Sequence, residues 1–165
     1  MLVILYVLLV LFLGLIFWED FTSRLVNILY FVALAIITSV IFMLQNGVVK
    51  NMIFSLCFLL LNLLGVKMYT IMKKGGHNVG FFEIPDLAEG DILFFLTVIP
   101  LFSFFNYIVF FISGLLVSLV IHLLVKVSID KRNTIPLAGY MALYLVGIVL
   151  YSQISDTNLY INLGF

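Results

Sequence analysis

Six long apolar runs, separated by short polar segments, divide this chain. They occupy residues 1–18, 26–44, 52–72, 91–105, 107–125 and 136–154. The runs are apolar on all sides, without the alternation of a barrel strand, and most approach the roughly 20 residues that a membrane-spanning helix needs. Because lipid offers the backbone no hydrogen-bond partner, such segments must be helical. The sequence therefore predicts an all-α membrane protein, a polytopic bundle of about six transmembrane helices forming a single domain over residues 1–165.

The composition excludes several other classes of protein. Of the 165 residues, 65% are hydrophobic and 10% are charged, which leaves too few charges to cover the surface of a soluble domain. The formal net charge is zero, so no nucleic-acid partner is indicated. The single cysteine, Cys57, excludes a disulfide framework and a Cys-x-x-Cys zinc site. No basic segment precedes Leu2, and we expect the first run to be a retained span in the lipid bilayer and not a cleaved signal peptide.

The basic residues predict the orientation of the chain. If the N-terminus lies outside, six cations fall on the cytoplasmic side and one falls outside. The six are Arg24, Lys73, Lys74, Lys126, Lys131 and Arg132, and the outer one is Lys50. This is the bias expected of a membrane protein. It also makes the longest loop, residues 73–90, cytoplasmic, either as a flexible connector or as a mobile loop that gates a substrate.

Two carboxylates stand at predicted membrane boundaries on the same, cytoplasmic, side. Asp20 follows the first apolar run and Asp91 opens the fourth. Taken singly, Asp20 can be part of a polar cluster that ends a helix, and Asp91 can be a helix cap. Taken together, they predict a catalytic pair, because two adjacent carboxylates share a proton, so that one activates water while the other protonates the amide. That chemistry needs neither a metal nor a cofactor.

Three segments carry a resemblance to a known family. They are Asp20 followed by Arg24 and Asn27, then Glu89-Gly90-Asp91-Ile92-Leu93, then Ile135-Pro136-Leu137-Ala138. In this order the chain resembles the type IV prepilin peptidases and archaeal preflagellin peptidases, the Gly-x-Gly-Asp membrane aspartic proteases. Ala88 stands where that motif has its first glycine, and the cysteine-rich insertion of the larger members is missing.

The resemblance implies a function. It implies an aspartic endopeptidase of the inner (plasma) membrane, with Asp20 and Asp91 as the catalytic residues at the cytoplasmic face, that cuts the short basic leader of prepilin-like substrates. We assign six further residues to the substrate site: Glu83, Asp86, Glu89, Gly90, Arg24 and Asn27. The three acids suit a basic leader, although they are also what a solvated acidic loop would contain.

Other polar residues in the runs indicate packing. His122 lies within the fifth run with no metal-ligand partner at a suitable spacing, and we interpret it as a hydrogen-bonding residue that faces the bundle. Gly114 and Ser118 form a small-xxx-small face that packs helices. The alternative to a peptidase is a non-enzymatic membrane subunit or transporter whose acids bind cations or protons.

Overall fold

The computed structural model describes residues 1–74, 89–128 and 136–155, and the elements in this part of the chain are helices. They are α1 (Leu2–Ser23), α2 (Ile28–Leu44), α3 (Val49–Lys74), α4 (Glu89–Val98), a 3₁₀ helix (Ile99–Leu101), α5 (Phe104–Ser128) and α6 (Leu137–Ile154). The prediction of an all-α fold with membrane-spanning helices is confirmed for the described residues. Four of these helices are long and apolar enough to cross a membrane: α1, α3, α5 and α6.

The count of about six spans is not confirmed, because two of the apolar runs form shorter helices. Helix α2 has 17 residues and α4 has 10. With its 3₁₀ extension of 3 residues, α4 rises only about 21 Å, which is less than the roughly 30 Å of a bilayer core.

Each helix contacts the next around the bundle, and α6 contacts α1. Helix α1 lies between α6 and α2, and α2 contacts α4 and the 3₁₀ helix. The 3₁₀ helix contacts α3, α3 contacts α5, and α5 contacts α6. The core at the centre of the α1–α2–α6 contact is aliphatic, with fully buried Leu9, Leu13, Leu34 and Leu145. Helix α1 packs most extensively against α6, and this contact positions the end of α1 over the start of α6.

Helix α1 runs further than its apolar run predicts. We expected Asp20 to follow the helix, but α1 continues to Ser23, so Asp20 lies inside it. The Thr22 and Ser23 hydroxyls bond back to the carbonyls of Trp18 and Glu19, at 2.7 and 2.8 Å. Arg24 then ends the helix in the left-handed conformation with φ 61°, and its N–H donates to the Asp20 carbonyl. Helix α1 therefore continues past its apolar run, and its last hydroxyls are satisfied by carbonyls of the same helix.

Helix α4 ends early because of Pro100. In an α-helix each N–H donates to the carbonyl four residues earlier, and Pro100 has no N–H to give to the Leu96 carbonyl. The Thr38 hydroxyl of α2 donates to the Thr97 carbonyl at 2.8 Å, and both side chains are buried. This contact ties the end of α4 to α2. Helix α5 begins at Phe104, three residues before the apolar run over residues 107–125.

The outer surface is that of a membrane protein. Large apolar side chains such as Leu11, Leu61 and Leu116 are exposed along α1, α3 and α5. Trp18 and Tyr69 are also exposed, near the ends of α1 and α3 that lie on the same side of the bundle as Asp20. Tryptophan and tyrosine concentrate at membrane interfaces, so these two side chains favour an interface at the end of the bundle that carries Asp20.

Candidate active site

The first turn of α6 is the point at which the distant segments meet. The first N–H groups of any helix have no partner within it. Pro136 precedes the helix, and its side chain makes no capping bond. Acceptors for Ala138 and Gly139 therefore have to come from elsewhere in the bundle.

The two predicted aspartates are these acceptors. Ala138 donates its backbone N–H to Asp91 Oδ1 at 2.8 Å, and Gly139 donates its own to Asp20 Oδ2 at 2.6 Å. Both carboxylates are buried, at 8% exposure for Asp20 and 7% for Asp91. The positive end of the α6 dipole stabilises negative charge at this position.

The shared turn limits how far apart the carboxylates can be. Consecutive backbone nitrogens in a helix are about 3 Å apart, so the two bonded oxygens are at most about 8 Å apart. Asp20 and Asp91 come from α1 and α4, 71 positions apart along the chain, yet they hold neighbouring N–H groups of a third helix. The structure therefore brings the two predicted catalytic residues together at one end of the bundle.

Gly139 is a residue of this site that the sequence analysis missed. A Cβ atom there would be 3.1 Å from Asp20 Oδ2, 3.2 Å from Asp20 Cβ and 3.4 Å from the Phe17 carbonyl. These contacts are tight, so the absence of a side chain lets α1 approach α6 closely enough for the Asp20 bond. A glycine three residues after Pro136 was the available signal, because glycine in a helix often marks a close backbone approach.

The two substrate-site candidates after α1 have structural partners. Asn27 caps α2, since its side chain accepts from the Leu29 N–H at 3.0 Å. The Asn27 N–H in turn donates to Glu19 Oε2 at 2.9 Å, and Glu19 also accepts a hydrogen bond from the Tyr30 side chain. Glu19 thus joins α1 to α2, a role that the sequence analysis did not assign. Arg24 is half-buried and interacts electrostatically with Asp20.

The remaining candidates lie at the start of α4 or outside the described residues. Glu89 is exposed in the first turn of α4, next to half-buried Gly90. Gly90 does not mark a close backbone approach, because a Cβ atom there would meet the Phe31 ring at an ordinary 3.7 Å. The close approach is at Gly139 instead. Glu83 and Asp86 lie outside the described residues.

The arrangement is suited to general acid–base chemistry. Two carboxylates near one another at the membrane boundary can hold a water molecule between them, with one as base and the other as acid. Within the described ranges no group of three or more histidine, cysteine or acidic side chains could hold a metal ion. The same geometry also has a purely structural consequence, because both carboxylates cap α6.

Comparison with known proteins adds no assignment: no family model, no curated protein and no solved structure matches this chain.

Proposed function

We propose that this protein is a membrane aspartic endopeptidase. It cleaves the short basic leader of type IV prepilin-like substrates at the cytoplasmic face of the plasma membrane, with Asp20 and Asp91 as the catalytic pair. One observation carries the proposal: two buried carboxylates from different helices bind adjacent N–H groups at the start of α6. The substrate class comes from the resemblance of the three segments around these residues to the prepilin peptidases.

The chemistry divides between the two aspartates. One carboxylate takes a proton from water, which attacks the scissile carbonyl carbon. The other, holding the shared proton, protonates the amide nitrogen as the C–N bond breaks. The α6 backbone holds each carboxylate through one oxygen, which orients the side chains before substrate arrives. A substrate whose apolar helix lies in the bilayer would present its leader at the depth marked by Trp18.

A reconstituted assay tests this function. The purified protein in liposomes is incubated with a synthetic substrate consisting of a basic leader followed by an apolar helix, and the products are weighed by mass spectrometry. We expect a single cut at the junction, and no cut with the Asp20→Asn/Asp91→Asn double variant. A matched substrate whose leader lysines are replaced by glutamine should be cut less efficiently, because the leader then lacks the charge that the acidic residues attract.

The non-enzymatic alternative makes the opposite prediction in the same liposomes. A transporter or proton-binding subunit would move protons or cations across the bilayer, which an internal pH-sensitive dye or a cation-sensitive dye reports. If the double variant abolished such a flux while the wild-type protein cut no substrate, the peptidase proposal would be refuted.

A further inference from the structure

Two polar side chains on α5 each carry an atom that forms no hydrogen bond with the described residues. Ser118 and His122 are one turn apart on the same face, and they are 1% and 5% exposed. Within the part of the chain that the structure describes, Ser118 Oγ and His122 Nδ1 form no hydrogen bond. Both lie in the candidate span Phe104–Leu124, where unsatisfied polar atoms are costly.

Ser118, like Ser55 on α3, differs from Ser113 on α5 and Ser152 on α6. A helical serine commonly donates to a carbonyl in the preceding turn of its own helix. Ser113 does so, to the Val109 carbonyl, and Ser152 donates to the Val149 carbonyl at 2.8 Å. The Ser118 hydroxyl makes no such bond, so it remains available to a group between the helices.

This face of α5 packs against the first turns of α6. At Gly114 a Cβ atom would be 2.6 Å from Met141 Sδ, so the Met141 side chain lies against the glycine. Two turns further along α5, the His122 ring lies 6.4 Å from the Tyr140 ring, centroid to centroid. Tyr140 directly follows Gly139, the residue that binds Asp20.

We propose that Ser118 and His122 bind an internal water molecule between α5 and α6, beside the turn that holds the two carboxylates. Buried water characteristically occupies sites where buried polar atoms would otherwise lack partners. Here a hydroxyl, which donates and accepts, and a ring nitrogen belong to residues four positions apart, which are neighbours on one face of a helix.

This role rests on the proposed function: in a peptidase, His122 is a positioning residue for the reaction. The water holds the orientation of the His122 ring, that ring contacts the Tyr140 ring in the first turn of α6, and the same turn orients Asp20 and Asp91. His122→Phe should lower kcat by about tenfold with little change in KM, because misplacing the carboxylates affects the chemical step more than leader binding. His122→Gln, which keeps a polar atom within the interface, should restore much of kcat.

Nuclear magnetic resonance tests the water directly. The chain has two histidines, so a His77→Asn background leaves His122 as the one imidazole signal. In ¹⁵N-histidine-labelled protein in lipid, we expect a through-space cross-peak between water and the His122 ring. Ser118→Ala should shift the Nδ1 resonance, whereas the control Ser113→Ala, whose hydroxyl bonds to Val109 and Tyr144, should not.

The water site and the peptidase activity are refuted by different results. The absence of a water cross-peak in the His77→Asn protein would refute the water site, whether or not any other variant folds. An unshifted Nδ1 resonance in Ser118→Ala would refute the shared water. A wild-type protein that cuts no substrate would refute the peptidase and the positioning role of His122, while the cross-peak would still decide the water site.

Discussion

Replacing each aspartate with asparagine or with alanine separates its structural role from its chemical role. Asparagine keeps an oxygen that can accept the α6 N–H but cannot act as an acid or base at this site. Alanine removes both functions. For Asp20→Ala, the buried Gly139 N–H loses its acceptor, and we expect a cost of about 1–3 kcal/mol. Asp20→Asn loses mainly the charge–dipole attraction, about 0.3–1 kcal/mol.

The difference between the two variants is measurable as a thermal shift. For a chain of this size, 1 kcal/mol corresponds to roughly 2–4 °C in Tm. The alanine variant should therefore unfold several degrees below the asparagine variant in detergent, and the Asp91 pair should behave alike. Glu89→Ala is the matched control, because Glu89 is an exposed acid at the start of α4 and its loss should shift Tm very little.

One pattern of unfolding temperatures would refute the capping role of Asp20. If Asp20→Ala and Asp20→Asn unfold at the same temperature, Asp20 does not cap α6, and the geometry that brings the carboxylates together is wrong. The expected pattern in activity differs from the pattern in stability, because both variants should be inactive. A residue that served only as a cap would show loss of function in proportion to loss of stability.

Three further predictions follow from the glycines and the orientation. Gly139→Ala should strongly reduce cleavage, because the added Cβ displaces Asp20. Gly147→Ala, on the same helix, should leave cleavage and folding intact, because nothing lies within 4 Å of its Cβ. Equal activity of the two variants would contradict the role of Gly139. Gly90→Ala should fold and cleave nearly normally, since its Cβ meets only an ordinary contact, and a severe loss of activity would show that the close approach lies there instead. Val48→Cys in a Cys57→Ser background should react with an impermeant thiol reagent in intact cells, because Val48 is exposed at the predicted outer end. If this cysteine reacted only after the cells were permeabilised, the predicted orientation would be reversed.

The sequence was sufficient to predict that the apolar runs are helical and that Asp20 and Asp91 lie at one end of the bundle. Apolar runs in a chain with few charges permit only helices, and the alternation of helix direction places Asp20 and Asp91 at the same end. The extension of α1 to Ser23 was missed, because hydropathy marks where an apolar run ends and not where the helix ends.

The partners of the carboxylates were beyond sequence reasoning. They are backbone N–H groups, which every residue except proline carries, so no residue type marks them. The Ile135–Ala138 segment indicated the right helix but not the bonds. Gly139 and Glu19 were missed for a related reason, because their roles depend on contacts between α1 and its neighbours α6 and α2 that no local pattern encodes.

The central claim is that Asp20 and Asp91 act as one catalytic pair. The most direct test is the turnover of a prepilin-like substrate by Asp20→Asn and Asp91→Asn, each shown to be folded by its Tm and reconstituted in liposomes at equal amounts. The account predicts that each single variant loses cleavage as completely as the double variant, because neither carboxylate can perform both proton transfers alone. The control Glu89→Gln should keep its kcat. A folded single variant with near-normal turnover would contradict the account.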